Sequence, residues 1–149
     1  VLGRFENVPA RFQRRHWASE TLQLVARRQH PLLAQAPDLA TFLELQHLWV
    51  HGGQTKGMVD QWLGSQGLKR QVAYTTPNYL QAAHIAAYSD LVGVLPRQLA
   101  HYFERLLPLL PFDLGPFHLE LVFLAQRERD IALQWLVEQI RQVGAAGPD

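Results

Sequence analysis

Seven histidines, three serines and no cysteine are the side chains from which this sequence would have to build reactive chemistry. Without cysteine there is no disulfide framework, no thiolate zinc site and no cysteine nucleophile. His47 and His51 stand four residues apart in a segment that reads as strand, and four strand residues span ~13 Å, too far for two ligands of one metal. The serines are Ser19, Ser65 and Ser89; none lies in a GxSxG elbow, and HExxH, GxGxxG and P-loop motifs are absent. Ser89 and Asp90 fall in a helix-to-strand turn, where such residues cap backbone groups. His51-Gly52-Gly53 has the glycines of an esterase oxyanion loop, but with no nucleophile elbow it reads as a flexible loop. The carboxylates are isolated along the chain, so no glycosidase-like pair is identified. We expect no catalytic residues, no metal and no cofactor.

Two segments suit ligand binding better. The loop from Gly52 to Gly57 runs into a helix start, where backbone N–H groups and Lys56 either hold an anion or belong to an ordinary solvated glycine loop. Thr75-Thr76-Pro77-Asn78 is a second strand-to-helix turn; its hydroxyls and N–H groups either bind a carboxylate or cap the helix. Phe123, beside Leu124 at a strand end, is a candidate cleft-lining residue. Trp62 and Trp135 fall on the apolar faces of their helices and are expected in the core.

The elements that position these residues alternate. Strands are expected at Thr21 to Arg27, Leu48 to Val50, Val72 to Thr76, Leu91 to Leu95 and Leu119 to Leu124. Helices are expected from Leu39 (capped by Asp38), from Met58 to Gln66 (ended by a left-handed Gly67), and from Asn78 to Tyr88 (with Pro77 in its first turn). Two more follow, from Pro96 to about Glu104 and after Asp130. The all-apolar Leu91-Val92-Gly93-Val94-Leu95 reads as a strand covered on both faces. Alternating strands and helices imply an α/β fold. The Pro-rich stretch from Leu107 to Pro116 is the best candidate for a connection between lobes.

Totals bound the rest. The chain has 149 residues, 48% of them hydrophobic, enough for one domain or two small lobes. Net charge is +1, and the fourteen cations scatter without a basic stripe, so tight nucleic-acid binding by this segment alone is not expected. No apolar run reaches the ~18 residues of a membrane span. The missing cysteines suit a reducing cytoplasm. Val1 is not an initiator Met, and Val1-Leu2-Gly3 reads as the end of a strand, so we expect a fragment of a longer protein.

Four segments in order resemble the effector-binding domain of LysR-type transcriptional regulators. They are Arg27-Arg28-Gln29-His30-Pro31-Leu32, Val72 to Tyr79, Tyr88 to Ala100 (YSDLVGVLPRQLA), and Gln126-Arg127-Glu128-Arg129-Asp130 with Ala132, Leu133, Trp135 and Leu136. The resemblance covers nearly the whole chain and is nearest the subgroup of nodulation regulators and nitroaromatic sensors. It implies a two-lobe fold like the type 2 periplasmic binding proteins, with mixed sheets and flanking helices. The first lobe would be incomplete: residues 1–19 end it and begin the first crossover, 20–112 form lobe 2, and 113–149 are the second crossover and the rest of lobe 1.

The same resemblance places Thr55, Lys56 and Gly57 on the cleft side of lobe 2, with Thr76, Pro77, Asn78 and Tyr79 opposite the hinge. It implies a small effector in the interlobe cleft, DNA bound through an N-terminal winged helix-turn-helix outside this chain, a homodimer or homotetramer, and no membrane. Lys56 stands where some members have His, which favours an anionic effector, and Phe123-Leu124 stands where such members often have Trp-His. The alternatives are a periplasmic solute-binding protein of a transporter, marked by an export signal, and an enzyme on an α/β fold.

Overall fold

The computed structural model describes residues 1–33, 37–51, 56–101 and 112–145. The chain divides into two compact units, Val1–Glu20 with Pro116–Asp149, and Thr21–Gly115.

The first unit is an antiparallel sheet in the order β1-β7-β2, built from β1 (Leu2–Gly3), β2 (Phe12–Glu20) and β7 (Phe117–Leu124). A register shift between His16 and Ala18 interrupts the pairing of β2 with β7. β2 was not expected from sequence: Gln13, Arg14, Arg15 and His16 are exposed, so no apolar alternation marks it. Helix α5 (Ile131–Ala145) follows, and Asp130 caps it by accepting from the Leu133 N–H at 3.1 Å.

α5 docks through Val137, which is buried, and through the half-buried Leu133, Ile140 and Gly144. That is helical spacing on one stripe. Trp135 lies on the other side of the helix and is 64% exposed, which corrects the expectation that it is core. Trp17 of β2 clamps the stripe, its Nε1–H donating to the Ile140 carbonyl at 2.8 Å. A Cβ on Gly144 would stand 2.3 Å from Trp17 Nε1. Helix propensity alone says that Gly144→Ala gains about 1 kcal/mol. Overpacking a closed contact costs about 1–3 kcal/mol, and here the contact wins because the hydrogen bond to Ile140 holds the ring against Gly144. We therefore expect Gly144→Ala to lower the denaturation midpoint of the full-length protein; a raised midpoint would show that Trp17 moves freely.

The second unit is a four-stranded mixed sheet in the order β3-β6-β4-β5. Its strands are β3 (Leu22–Val25), β4 (Gln46–Val50), β5 (Gln71–Thr76) and β6 (Val92–Pro96). β3 runs antiparallel to β6; β4 is parallel to both β6 and β5. Its helices are α1 (Leu39–Glu44), α2 (Met58–Ser65), α3 (Tyr79–Tyr88) and α4 (Arg97–His101).

Side-chain alternation assigns the faces. Leu24 and Val92 pack with Phe42 and Leu45 at α1 and with Val59 and Leu63 of α2. Val25, Leu48 and Leu95 pack with Ala82, Ala83 and Ala86 of α3 and Ala100 of α4. β6 is thus covered on both faces, as its apolar run requires. Local signals set the helix limits. Asp38 accepts from the Thr41 N–H at 2.8 Å, and Gly67, with φ +70°, closes α2 in the conformation that side-chain-bearing residues avoid. Asn78 is the N-cap of α3, so Pro77 precedes the helix instead of occupying its first turn. Pro96 ends β6, and α4 begins at Arg97. Residues 102–111, which include the first half of the proline-rich stretch from Leu107 to Pro116, lie outside the described residues.

Candidate functional site

The chain leaves β4 for α2 and β5, then returns through α3 to β6 on the other side of β4. The connections therefore diverge at the carboxyl ends of β4 and β6. Open α/β sheets bind ligands there, because the backbone parts and helix N-termini face the gap. A recess of about 50 Å³ lies at this edge, lined by Leu22, Leu48, Trp49, Val50, Gly57, Met58, Val59, Arg70, Tyr79 and Val94. Its walls are mostly apolar, and Trp49 and Tyr79 are aromatic.

The two helix starts at this edge differ. Asn78 Oδ1 accepts from the N–H groups of Leu80 at 2.8 Å and Gln81 at 3.2 Å, so the first turn of α3 is capped from within. Thr76 is buried; its hydroxyl donates to Gln81 Oε1 at 2.6 Å and accepts from the Asn78 N–H at 3.3 Å. Thr76 and Asn78 thus hold α3 in place, the capping alternative for this turn. Helix α2 has no side-chain cap among the described residues: its N-cap is Gly57, in extended backbone. Its first N–H groups and the positive end of its dipole face the edge where Gly57, Met58 and Val59 line the recess.

Gly57 is closely packed: a Cβ would stand 3.2 Å from Trp49 Nε1 and 3.5 Å from Asp60 Oδ2, so a larger residue would press on the Trp49 ring. Trp49 in turn stacks on His51, with ring centroids 4.7 Å apart. Beneath them Arg70 is buried and grips Asp60 of α2 with both arms, Nε to Oδ1 and Nη2 to Oδ2, each at 2.8 Å. This fork ties the first turn of α2 to the start of β5. His47 lies in the core below, its Nε2–H donating to the Phe42 carbonyl at 2.8 Å. Burial, with the charge of Arg70 adding to it, lowers the His47 pKa to about 4, so the ring is neutral. Its Nδ1 has no hydrogen-bond partner among the described residues.

Of the residues singled out in the sequence, Gly57, Thr76, Asn78 and Tyr79 meet at this edge. Pro77 is exposed beside them. Lys56, one residue before the α2 cap, is exposed and lines a neighbouring groove. Thr55 lies outside the described residues. Phe123 belongs to the first unit, where it is half-buried opposite Gln13 on β2, with the Arg15 guanidinium 5.4 Å from its ring centroid. Trp49, Met58, Arg70 and Asp60 were not singled out. Only parallel pairing of β4 with β5 brings Asp60 and Arg70 together, and no local spacing shows that.

Among the described residues no group of three or more metal-ligating side chains is found, and no helix is long and apolar enough to cross a membrane.

The model of the LysR substrate binding domain matches residues 1–145. The HTH-type transcriptional regulator SyrM of Rhizobium meliloti (strain 1021) is 27% identical over 146 residues, covering 94% of this chain and 45% of that protein. The HTH-type transcriptional regulator YidZ of Salmonella newport is 37% identical over 95 residues, 58% of this chain and 30% of that protein. The chain thus spans less than half the length of these curated relatives. Among solved structures, the probable transcriptional regulator PA0477 from Pseudomonas aeruginosa superposes with a TM-score of 0.86 at 31% identity, over 95% of this chain and 49% of that one. The regulatory domain of MexT, a transcriptional activator of the same organism, shares the fold, with a TM-score of 0.77 at 20% identity over 95% of this chain and 70% of that one.

Proposed function

Because the chain belongs to the LysR substrate-binding domain family, we propose that it is the effector-sensing part of a cytoplasmic, DNA-binding transcriptional regulator. DNA is contacted by a winged helix-turn-helix outside this chain, and the complete protein works as a homodimer or homotetramer. The matching relatives are HTH-type regulators, which favours this reading over a transporter's solute-binding protein. Signalling is a population shift: the effector must bind one arrangement of the protein better than another.

The observation that carries the site is the uncapped start of α2 at an aromatic-walled recess. A small carboxylate with an apolar body fits both halves. Its oxygens accept from the N–H groups of the first turn, with Lys56 adding charge one residue before the cap, and its body lies against Leu22, Val94, Trp49 and Tyr79. Thr76, Pro77 and Asn78 shape the opposite rim by fixing α3, and Thr55 remains a proposed contact.

The test removes one backbone donor together with the Met58 side chain that lines the recess; Met58→Ala, which keeps the N–H, separates the two. Met58 is the first residue of α2, where proline is tolerated, and Gly57 has the φ −86°, ψ 172° that a residue before proline adopts. In the full-length protein, thermal shift against a panel of aromatic and aliphatic monocarboxylates first identifies a binder. Met58→Pro should then keep the unliganded melting temperature and weaken that binder by roughly 10–100-fold, the worth of a charge-assisted hydrogen bond. Thr76→Ala should weaken it through loss of α3 positioning, and Thr76→Ser should restore it. Unchanged calorimetric affinity in Met58→Pro would remove the α2 start from the site.

A further inference from the structure

The sequence has only two lysines among its fourteen cations, and the fold brings both to one groove. Lys56 and Lys69 line a cavity of about 420 Å³ with Trp49, Asp60, Leu63, Gly64, Leu68, Arg70 and Val72. It runs along α2 beside β5, the edge strand of its sheet. Both lysines are exposed, and neither has an ion-pair partner among the described residues. The carboxylate of Asp60 is taken up by Arg70, so among the described residues the groove carries two ammonium groups with no carboxylate of their own. Its floor is apolar: Leu63 is fully buried, Leu68 half-buried, and Val72, on the edge strand, is 40% exposed.

Exposed apolar surface beside two unpaired cations matches a ligand with an apolar body and one anionic end. We propose that this groove is a second binding site, distinct from the recess at the strand ends, for an amphiphilic monoanion such as an aromatic or fatty carboxylate or sulfonate. Trp49 and Arg70 line both the groove and the recess. A ligand pressed against the outer side of Trp49 therefore acts on a wall of the effector recess, and the two sites are coupled through that shared wall.

Gly64 gives the test its leverage. It lies on α2, lines the groove, and a Cβ there would meet nothing within 4 Å. Gly64→Phe therefore fills the groove without a clash at its root and replaces a helical glycine. The probe is 1-anilinonaphthalene-8-sulfonate, followed by its fluorescence on the full-length protein. Gly64→Phe should abolish saturable binding. Lys69→Gln, an exposed change that leaves the fold alone, should weaken binding about tenfold at low salt and by less at 1 M salt, where charge is screened within ~3 Å. Met58→Pro, which alters only the recess, should leave probe affinity unchanged. Wild-type affinity in Lys69→Gln, or in a Gly64→Phe protein that melts like the wild type, overturns the groove. Equal weakening by Met58→Pro alone would move the probe to the recess and overturn it too, whatever becomes of the effector reading.

Discussion

Asp60→Ala should destabilise the full-length protein by about 3–5 kcal/mol, the cost of leaving one partner of a buried ion pair without the other. The Arg70 side chain is 3% exposed and that of Asp60 25%. Arginine cannot shed its proton to escape a low-dielectric site, so removing the carboxylate strands a charge in the interior. The reverse change is gentler. Arg70→Met puts an apolar chain in an apolar place and leaves a carboxylate that water can reach. Asp60→Asn keeps one acceptor for the fork and should fall between the two. Urea denaturation of the three variants orders them. If Asp60→Ala proves no worse than Arg70→Met, burial of the guanidinium is not what makes the pair matter. The consequence for function is direct, because the same fork holds the first turn of α2, where the effector's anionic end is proposed to sit.

His47 should make stability fall as pH drops from neutral toward 4. The ring is fully buried, and burial lowers its pKa from 6.5 to about 4. Between those values the unfolded chain binds a proton that the native chain does not. Stability therefore rises with pH across that window and is complete above 6.5. Below about 4 both states are protonated and the dependence flattens. The amplitude is on the order of 3 kcal/mol. His47→Gln removes the titration and keeps an N–H donor for the Phe42 carbonyl. The difference between wild-type and variant stabilities should change by that amount between pH 7 and pH 4, and parallel curves would contradict the assignment.

Legibility in the sequence followed burial and local capping. The apolar run from Leu91 to Leu95 marked the doubly covered β6, and Asp38, Gly67 and Asp130 marked helix limits, because in each case the signal lies within a few residues of its effect. The α/β class and the family followed from such pieces in order. β2 escaped because its exposed face is polar and its other face is only partly buried. Trp135 was misplaced because the first turns of α5 carry apolar residues on several sides (Ile131, Leu133, Trp135, Leu136), and only over the helix's full length do Leu133, Val137, Ile140 and Gly144 mark the stripe that docks. At the site, Gly57 and the turn from Thr76 to Tyr79 were visible as strand-to-helix turns. Trp49 and the Asp60–Arg70 fork were not, since they meet only through the parallel pairing of β4 with β5. Sequence likewise could not separate an anion-receiving turn from a self-capped one. That distinction rests on where Asn78 Oδ1 and the Thr76 hydroxyl point.

The proposed sensing of a small molecule on behalf of a DNA-binding protein is tested by a gel shift, with the full-length protein titrated onto the DNA upstream of its own gene and neighbouring genes, against excess competitor DNA and at stated salt. One segment should be retained under competition, and a carboxylate found by thermal shift should change its retention or mobility in the wild type and less so in Met58→Pro. Absence of a specific complex at every salt concentration tested would contradict it.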